Sequence, residues 1–340
     1  MLSLTELLAA YRRSGADLPF GDPRHAHGVG MEGYYWRLTD VEAGRVVIAF
    51  CGLCSAPGGS WALVALASHP EGVVRHAIVG GASGAFDALG VRAGDVLQAT
   101  RDRLRVDLGP TARLDVSLDN HRPWPRRMLG GLGLAQVVPG LGQYWHPHEL
   151  GARVSGGIEL GAQRLSLEGA TAYAEKNWGT AFARQWWWGQ AHGFPEPDVC
   201  VAFAGGRVTL PVGPVAPTAV VVSLGDRVLR LAPPLARTVA AVGADDWRVH
   251  ARQGRVTVSI EGTAGARSTP AHLPVPLPLE RRVELRSRQL LAGELHLEVS
   301  IGRRRLYSGA SRLAGLERDL QPVSSGARRA GPRPEAARPR

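Results

Sequence analysis

Alternation of apolar and polar positions with period two dominates this chain. Leu104, Val106 and Leu108, then Leu114, Val116 and Leu118, place apolar side chains at every second position on either side of Gly109-Pro110. Successive strand residues point to opposite faces, so this reads as an antiparallel hairpin with one buried face and one wet face. Trp247, Val249 and Ala251 repeat the pattern, as do Val256, Val258 and Ile260, and later Leu295, Leu297, Val299 and Ile301. Gly205-Gly206, Gly225-Asp226 and Gln253-Gly254 separate apolar runs and predict tight turns. Further strands are expected at about 45–54, 60–68 and 72–79, where β-branched runs lie between turn signals. A single helix is predicted at the start: Ser3-Leu-Thr-Glu6 forms a capping box ahead of Leu7, Leu8 and Ala9, and Gly15 stops it. With no strand–helix–strand units, the expectation is an all-β fold of antiparallel sandwiches or barrels.

Two stretches break the pattern. Residues 121–150 are rich in Pro, Gly, rings and titratable groups, and predict a long loop or lid carrying His146, His148 and Glu149. Gly80-Gly-Ala-Ser-Gly84 is a loop that lacks the Lys-Ser/Thr of a phosphate cradle. The centre, Gly169–Phe194, holds four of the nine tryptophans and the only lysine, Lys176. As a strand, Tyr173, Glu175 and Asn177 share one face, while Ala174, Lys176 and Trp178 share the other. Trp186, Trp188, Gln190, His192 and Phe194 also share a face, aromatic at its ends and polar in its middle. Such a wall is either the lining of a pocket for a large apolar ligand or a tryptophan-rich core with satisfied N–H groups.

At 340 residues the chain exceeds one usual core, so two domains are expected. The net charge is +10, part of it in an Arg- and Pro-rich tail after about residue 320 that is expected to be disordered. A basic body suits an anionic membrane surface. No recognition helix or aromatic-interleaved basic motif appears, so nucleic acid is not an expected partner. The three cysteines give no disulfide framework, and Cys51 and Cys54 read as buried thiols. His146 and His148 lack a third ligand at diagnostic spacing, so no metal is expected. No signal peptide and no apolar run of transmembrane length is found, and the expected location is cytoplasmic, peripheral to a membrane.

Four words resemble the tocopherol cyclase family. They are Glu32-Gly-Tyr-Tyr-Trp36-Arg37, Pro139-Gly-Leu-Gly-Gln-Tyr144-Trp145-His146-Pro-His148, Tyr173-Ala-Glu-Lys-Asn-Trp178-Gly179, and the face of Trp186, Trp188 and Gln190. The resemblance is weaker before residue 24, between 80 and 120, and after 200. It implies two lipocalin-like domains, here 24–180 and 181–320 after a lead-in at 1–23 and before the tail at 321–340. It also implies a hydrophobic pocket near their junction and closure of a chroman ring on a prenylated hydroquinone. Two departures fall on the expected wall. Thr180-Ala-Phe-Ala183 keeps the family's Phe but not the Pro that follows it, and His192 stands where Asn is usual. Carotenoid hydratases and other cyclising enzymes resemble the same fold.

Ring closure of this kind is redox-neutral and needs no cofactor. A proton goes to a trisubstituted alkene, and the phenol oxygen captures the tertiary cation. The step needs a strong, positioned acid, such as a carboxyl kept protonated by an apolar site, with Glu175 as first candidate and Glu32 as second. Trp36, Trp178, Trp186 and Trp188 offer faces for the cation. His146, His148 or His192 would take the phenol proton, and Lys176 would hold a carboxylate or the phenol oxygen. Tyr144, Trp145, Tyr173, Asn177 and Gln190 complete the expected substrate-binding set. The alternative for Glu175 and Lys176 is that each makes a structural ion pair. A hydratase using the same protonation, or a carrier that needs no acid, is the rival function.

Overall fold

A computed structural model of the chain describes residues 3–125, 128–210, 213–265 and 268–320. The expected tail at 321–340 lies outside them. Helix α1 (Leu4–Arg13) starts at the predicted capping box, with Ser3 and Glu6 bonded reciprocally. Gly15 follows it in the left-handed region at φ 92°. Among the described residues, two large antiparallel sheets make up almost all the remaining regular structure, apart from 3-10 turns at Gly109–Thr111 and Gly133–Val137, so the fold is all-β and lipocalin-like with a short N-terminal helix.

The first sheet contains β1 (Met31–Asp40), β2 (Arg45–Ala56), β3 (Gly59–His69), β4 (Val73–Gly80), β5 (Ala82–Gly84), β6 (Gly90–Ala93), β7 (Leu97–Thr100), β8 (Arg103–Asp107), β9 (Arg113–Asp119), β10 (Gln143–Leu160), β11 (Gln163–Ser166) and β12 (Thr171–Gly179). Their order is β4-β3-β2-β1-β12-β10-β9-β8-β7-β6-β5, with β11 on β10. The sheet curls until its far edge returns to β3, where Gly81 donates its N–H to the Ser60 carbonyl. The second sheet contains β13 (Arg184–Ala191), β14 (Val199–Leu210), β15 (Gly213–Val215), β16 (Thr218–Leu224), β17 (Arg227–Leu231), β18 (Arg237–Val242), β19 (Asp246–Gln253), β20 (Val256–Thr263), β21 (Pro270–Leu277), β22 (Arg282–Ile301) and β23 (Arg304–Asp319). It runs β17-β16-β14-β13-β23-β22-β20-β19-β18, with β15 on β14 and β21 on β22.

The alternating positions found in the sequence form the two interiors. Leu104, Val106, Leu114, Val116 and Leu118 are buried in the first, and Trp247, Val249, Val258, Ile260, Leu297 and Val299 in the second. The sheets meet on the outer face of β2 and β3, where Val46, Ile48 and Ala67 pack against Leu273 and Leu291. Buried Arg37 crosses the same junction. Its Nη2 donates to the carbonyl of Leu291 at 2.8 Å and to that of Leu313, tying β1 to β22 and β23. The three cysteines are free and buried.

Four local expectations need correction. Gly205-Gly206 is not a turn but lies inside β14. A Cβ on Gly205 would sit 2.3 Å from the Trp187 indole nitrogen, so close packing explains the glycine there. The lid stops at residue 142, because β10 begins at Gln143 and carries His146 and His148 as strand residues. Its register against β12 shifts between Pro147 and Glu149, a bulge that accommodates a residue with no N–H for the ladder. Ala82–Gly84, expected as loop, is the short strand β5. Phe194 leaves the face of Trp186 and Trp188, because β13 ends at Ala191, and it packs in the interior of the second sheet.

Candidate functional site: two polar systems back to back

The pairing of β1, β12 and β10 decides what the central residues face. Lys176 lies opposite Tyr34 on β1 and His146 on β10, while Glu175 lies opposite Tyr35 and Pro147. Residues paired across antiparallel strands share a face. One face of this three-strand centre therefore collects Glu32, Tyr34, Trp36, Tyr144, His146, Lys176 and Trp178. The other collects Tyr35, Arg37, Trp145, Tyr173, Glu175 and Asn177.

The Glu175 face opens on a cavity of about 1040 Å³, at the upper end of the size range of small-molecule sites. The cavity lies between the two sheets and is walled by Trp145, Trp186, Trp187, Trp188, Tyr35 and Phe182 among others. Glu175 is buried at its wall. Its Oε2 accepts from Trp145 Nε1 at 2.8 Å, Trp188 Nε1 at 2.9 Å and Tyr173 Oη at 2.6 Å. All three donors converge on that one oxygen. Burial raises the carboxyl to about 7 although each of the three donors pulls it down. No ion pair among the described residues includes Glu175.

A second carboxylate, Glu317 on β23, lines the same cavity and was not foreseen. Trp186 Nε1 donates to its Oε1 at 2.8 Å. Burial raises its pKa and the nearby Asp319 adds to this. Trp186 itself has the Arg286 guanidinium 4.9 Å from its ring centroid and Phe182 5.2 Å away. Tyr35 feels the charge of both carboxylates: its hydroxyl accepts from Gln289 Nε2 at 3.0 Å, and its ring meets that of Trp188 edge-on at 5.2 Å. Burial pushes the Tyr35 hydroxyl well above its ordinary value, so it is a neutral phenol at neutral pH. The sequence signal for Glu317 is slight: one Glu in a Leu- and Arg-rich strand close to the tail.

Lys176 is on the opposite face and outside the cavity lining. Its Nζ donates to Glu32 Oε2 at 2.7 Å, the His25 carbonyl at 2.6 Å and His27 Nδ1 at 2.9 Å. All three ammonium protons are thereby taken. His27 passes the network on, its Nε2 lying 3.1 Å from Asp17 Oδ2. Burial, reinforced by Lys176, lowers His27 to about 4, so the ring is neutral with its proton on Nε2. Glu32 also accepts from the backbone N–H groups of His27 and Gly28. This network ties the lead-in segment, residues 17–28, to β1 and β12. Burial works against the Glu32 charge, but Lys176, helped by His27 and the Gly28 N–H, outweighs it and the carboxyl stays below its usual value.

The other expected residues divide between these systems. Trp145, Tyr144, Asn177, Trp186 and Trp188 line the cavity, as do Phe182 and Ala183 where the family word departs. Tyr173 reaches it only through Glu175. Trp36 points into the first interior. Trp178 stacks between His27 and Tyr144 and donates to the Gly15 carbonyl at 2.8 Å. His146 meets Trp124 edge-on, and burial lowers both His146, to about 3, and His148. Gln190 donates to His192 Nδ1 at 3.2 Å, and His192 Nε2 donates to the Leu150 carbonyl at 2.9 Å, so both are committed within the junction. No cluster of three or more metal-ligating side chains occurs among the described residues.

Fold and site together define an all-β, lipocalin-like protein built around an aromatic cavity with two carboxyl groups. A model described as tocopherol cyclase-like matches residues 148–319, about half of the chain, and the chain belongs to that family. The match includes both carboxylates and all of the second sheet, where the sequence words were weakest, and starts after Glu32. The chloroplastic tocopherol cyclase of Zea mays is 32% identical over 89 residues, 26% of this chain and 19% of that protein. A chloroplastic relative from Oryza sativa subsp. japonica is 32% identical over 83 residues, 24% of this chain and 18% of that one. The chain thus spans about a fifth of the length of these curated relatives. Kievitone hydratase from Nectria haematococca has the same fold, with a TM-score of 0.52 at 11% identity, over 85% of this chain and 88% of that one.

Proposed function

We propose that this chain is a cofactor-independent cyclase. It closes a chroman-type ring on a prenylated hydroquinone or a similar isoprenoid, an isomerisation of the tocopherol cyclase type. The observation that carries the reading is Glu175, a carboxyl at the wall of an aromatic cavity whose burial raises it to about 7. An acid of that strength is half protonated near neutral pH, which suits general acid catalysis. Because three donors occupy Oε2, the transferable proton sits on Oε1. Addition of that proton to the alkene makes a tertiary cation, which Trp186 and Trp188 stabilise through their ring faces. The phenol oxygen then forms the C–O bond. Tyr173 and Trp145 hold the acid, and Tyr144 and Asn177 shape the wall.

A lipophilic substrate resides in lipid, so weak contact of this protein with an anionic membrane from the cytoplasmic side belongs to the same reading. Its supports are the net charge of +10 and the exposed Leu4, Leu7 and Leu8 on one side of α1. No described helix is long and apolar enough to cross a membrane. Flotation with anionic vesicles should show binding that weakens as salt rises, and salt-insensitive or absent binding sinks that part.

The deciding experiment is incubation with prenylated hydroquinones, with products followed by mass and retention time. A cyclised product has unchanged mass and a new retention time. A gain of the mass of water makes the protein a hydratase, and tight binding without product makes it a carrier.

A further inference from the structure

The cavity contains two carboxylates, and the proposed protonation uses one. They come from different sheets, Glu175 from β12 and Glu317 from β23, and each is held by an indole from a single strand. Trp188 donates to Glu175 and Trp186 to Glu317. Two residues apart on β13, these tryptophans share a face, with their Cα atoms roughly 7 Å apart along the strand. Backbone pairing of Trp188 with Glu317 brings β23 alongside that same point.

We infer that Glu317 is the base of this site, receiving the proton of the attacking O–H group while Glu175 delivers its own proton to the alkene. This rests on the cyclase reading above. Before reaction the pair holds one proton, on Glu175, because two ionised carboxylates in one apolar cavity repel each other. The Glu175 O–H bond breaks and a C–H bond forms at the less substituted alkene carbon. The phenol oxygen donates a lone pair to the cationic carbon, its O–H bond breaks, and Glu317 takes that proton. The pair again holds one proton, now on Glu317, and nothing has been oxidised or reduced. Water entering after product release returns the proton to Glu175. The histidines of the sequence words do not line the cavity, which leaves Glu317 as the base available there.

The other ionisable groups at the cavity or beside the pair are Tyr34, Tyr35 and Arg37 on β1, Cys51 on β2, Tyr144 on β10, Tyr173 on β12, Arg237 on β18, Arg286 on β22 and Asp319 on β23. Arg286 and Asp319 pair with each other at 2.7 Å. The test compares Glu317→Gln and Glu317→Asp with the wild type, using a prenylated hydroquinone as probe. Wild-type kcat should be bell-shaped in pH, falling at low pH as the base is protonated and at high pH as the acid ionises. Glu317→Gln should lose about 10²–10⁴-fold in kcat, keep its KM within a few-fold, and lose the low-pH limb. Glu317→Asp should restore that limb at reduced rate, and it stands in if the Gln variant fails to fold. Glu317→Gln with a near-normal rate, or with its low-pH limb intact, overturns the assignment.

A second measurement separates this inference from the cyclase reading. Carboxyl carbon NMR can follow Glu175 titration without substrate. Loss of the neighbouring charge in Glu317→Gln should lower the apparent Glu175 pKa. Absence of turnover by the wild type defeats the cyclase reading alone, whereas an unmoved Glu175 titration defeats the paired carboxylates whether or not turnover occurs.

Discussion

Glu175→Gln separates a catalytic acid from a structural carboxylate by the sign of its effect on stability. The amide oxygen can still accept from Trp145, Trp188 and Tyr173, and the amide N–H₂ would face the cavity where Oε1 now does. The charge is what disappears. Glu175 is held at about 7 in the fold against 4.5 for the free side chain. Between these values the native state binds more protons than the unfolded chain, so this group's contribution to stability falls as pH rises through that window. It is fully present below 4.5 and fully lost above about 7. A shift of this size corresponds to about 3 kcal/mol, an order-of-magnitude figure, at about 1.36 kcal/mol per unit. Relative to the wild type, Glu175→Gln should therefore gain up to about 3 kcal/mol on going from pH 4 to pH 8. Urea unfolding of both proteins at the two pH values reads this directly, because the remaining titratable groups largely cancel in the difference. Turnover at pH 7 should meanwhile fall about 10²–10⁴-fold with ligand affinity little changed. A variant that is less stable than the wild type by more at pH 8 than at pH 4 would refute the argument. That outcome would mean that Glu175 stabilises the fold as an anion.

The remaining predictions touch both faces of the central strands. Trp188→Phe removes one donor from the ionised form of Glu175, so the high-pH limb of kcat should move to higher pH; an unmoved or lowered limb contradicts the role of that indole. Lys176→Met leaves Glu32 buried without its cation and should cost about 3–5 kcal/mol by denaturant titration, with part recovered in the Lys176→Met/Glu32→Gln double variant. A cost under about 1 kcal/mol would show that water reaches the pair. Gly205→Ala drives a methyl group into the Trp187 indole and should break its 3.1 Å bond to Thr218, costing about 1–3 kcal/mol and altering the near-ultraviolet circular dichroism.

Much of this protein is local and therefore legible in the chain. The period-two pattern follows from strand stereochemistry, so the hairpin of β8 and β9 and the runs of β19, β20 and β22 could be read residue by residue. Ser3 and Glu6 are three residues apart, and their capping box needs nothing beyond the helix they begin. The division of Tyr173–Trp178 into a Glu175 face and a Lys176 face was equally readable, since parity along a strand is a one-dimensional property. Parity does not say what each face meets. Only closure of the first sheet put Trp36 and Lys176 inward and Glu175 outward, and only packing against the second sheet turned that outer face into a cavity wall. Pairing of β10 with β12 made strand residues of histidines that looked like part of a lid. Lys176 found its partners some 150 residues earlier, at His25, His27 and Glu32, and Trp186 found Glu317 some 130 residues later. Contacts over such distances are set by strand order and register across whole sheets. A side chain's neighbours in sequence carry no record of them, which is why the first carboxylate of the site could be picked out from the chain and the second could not.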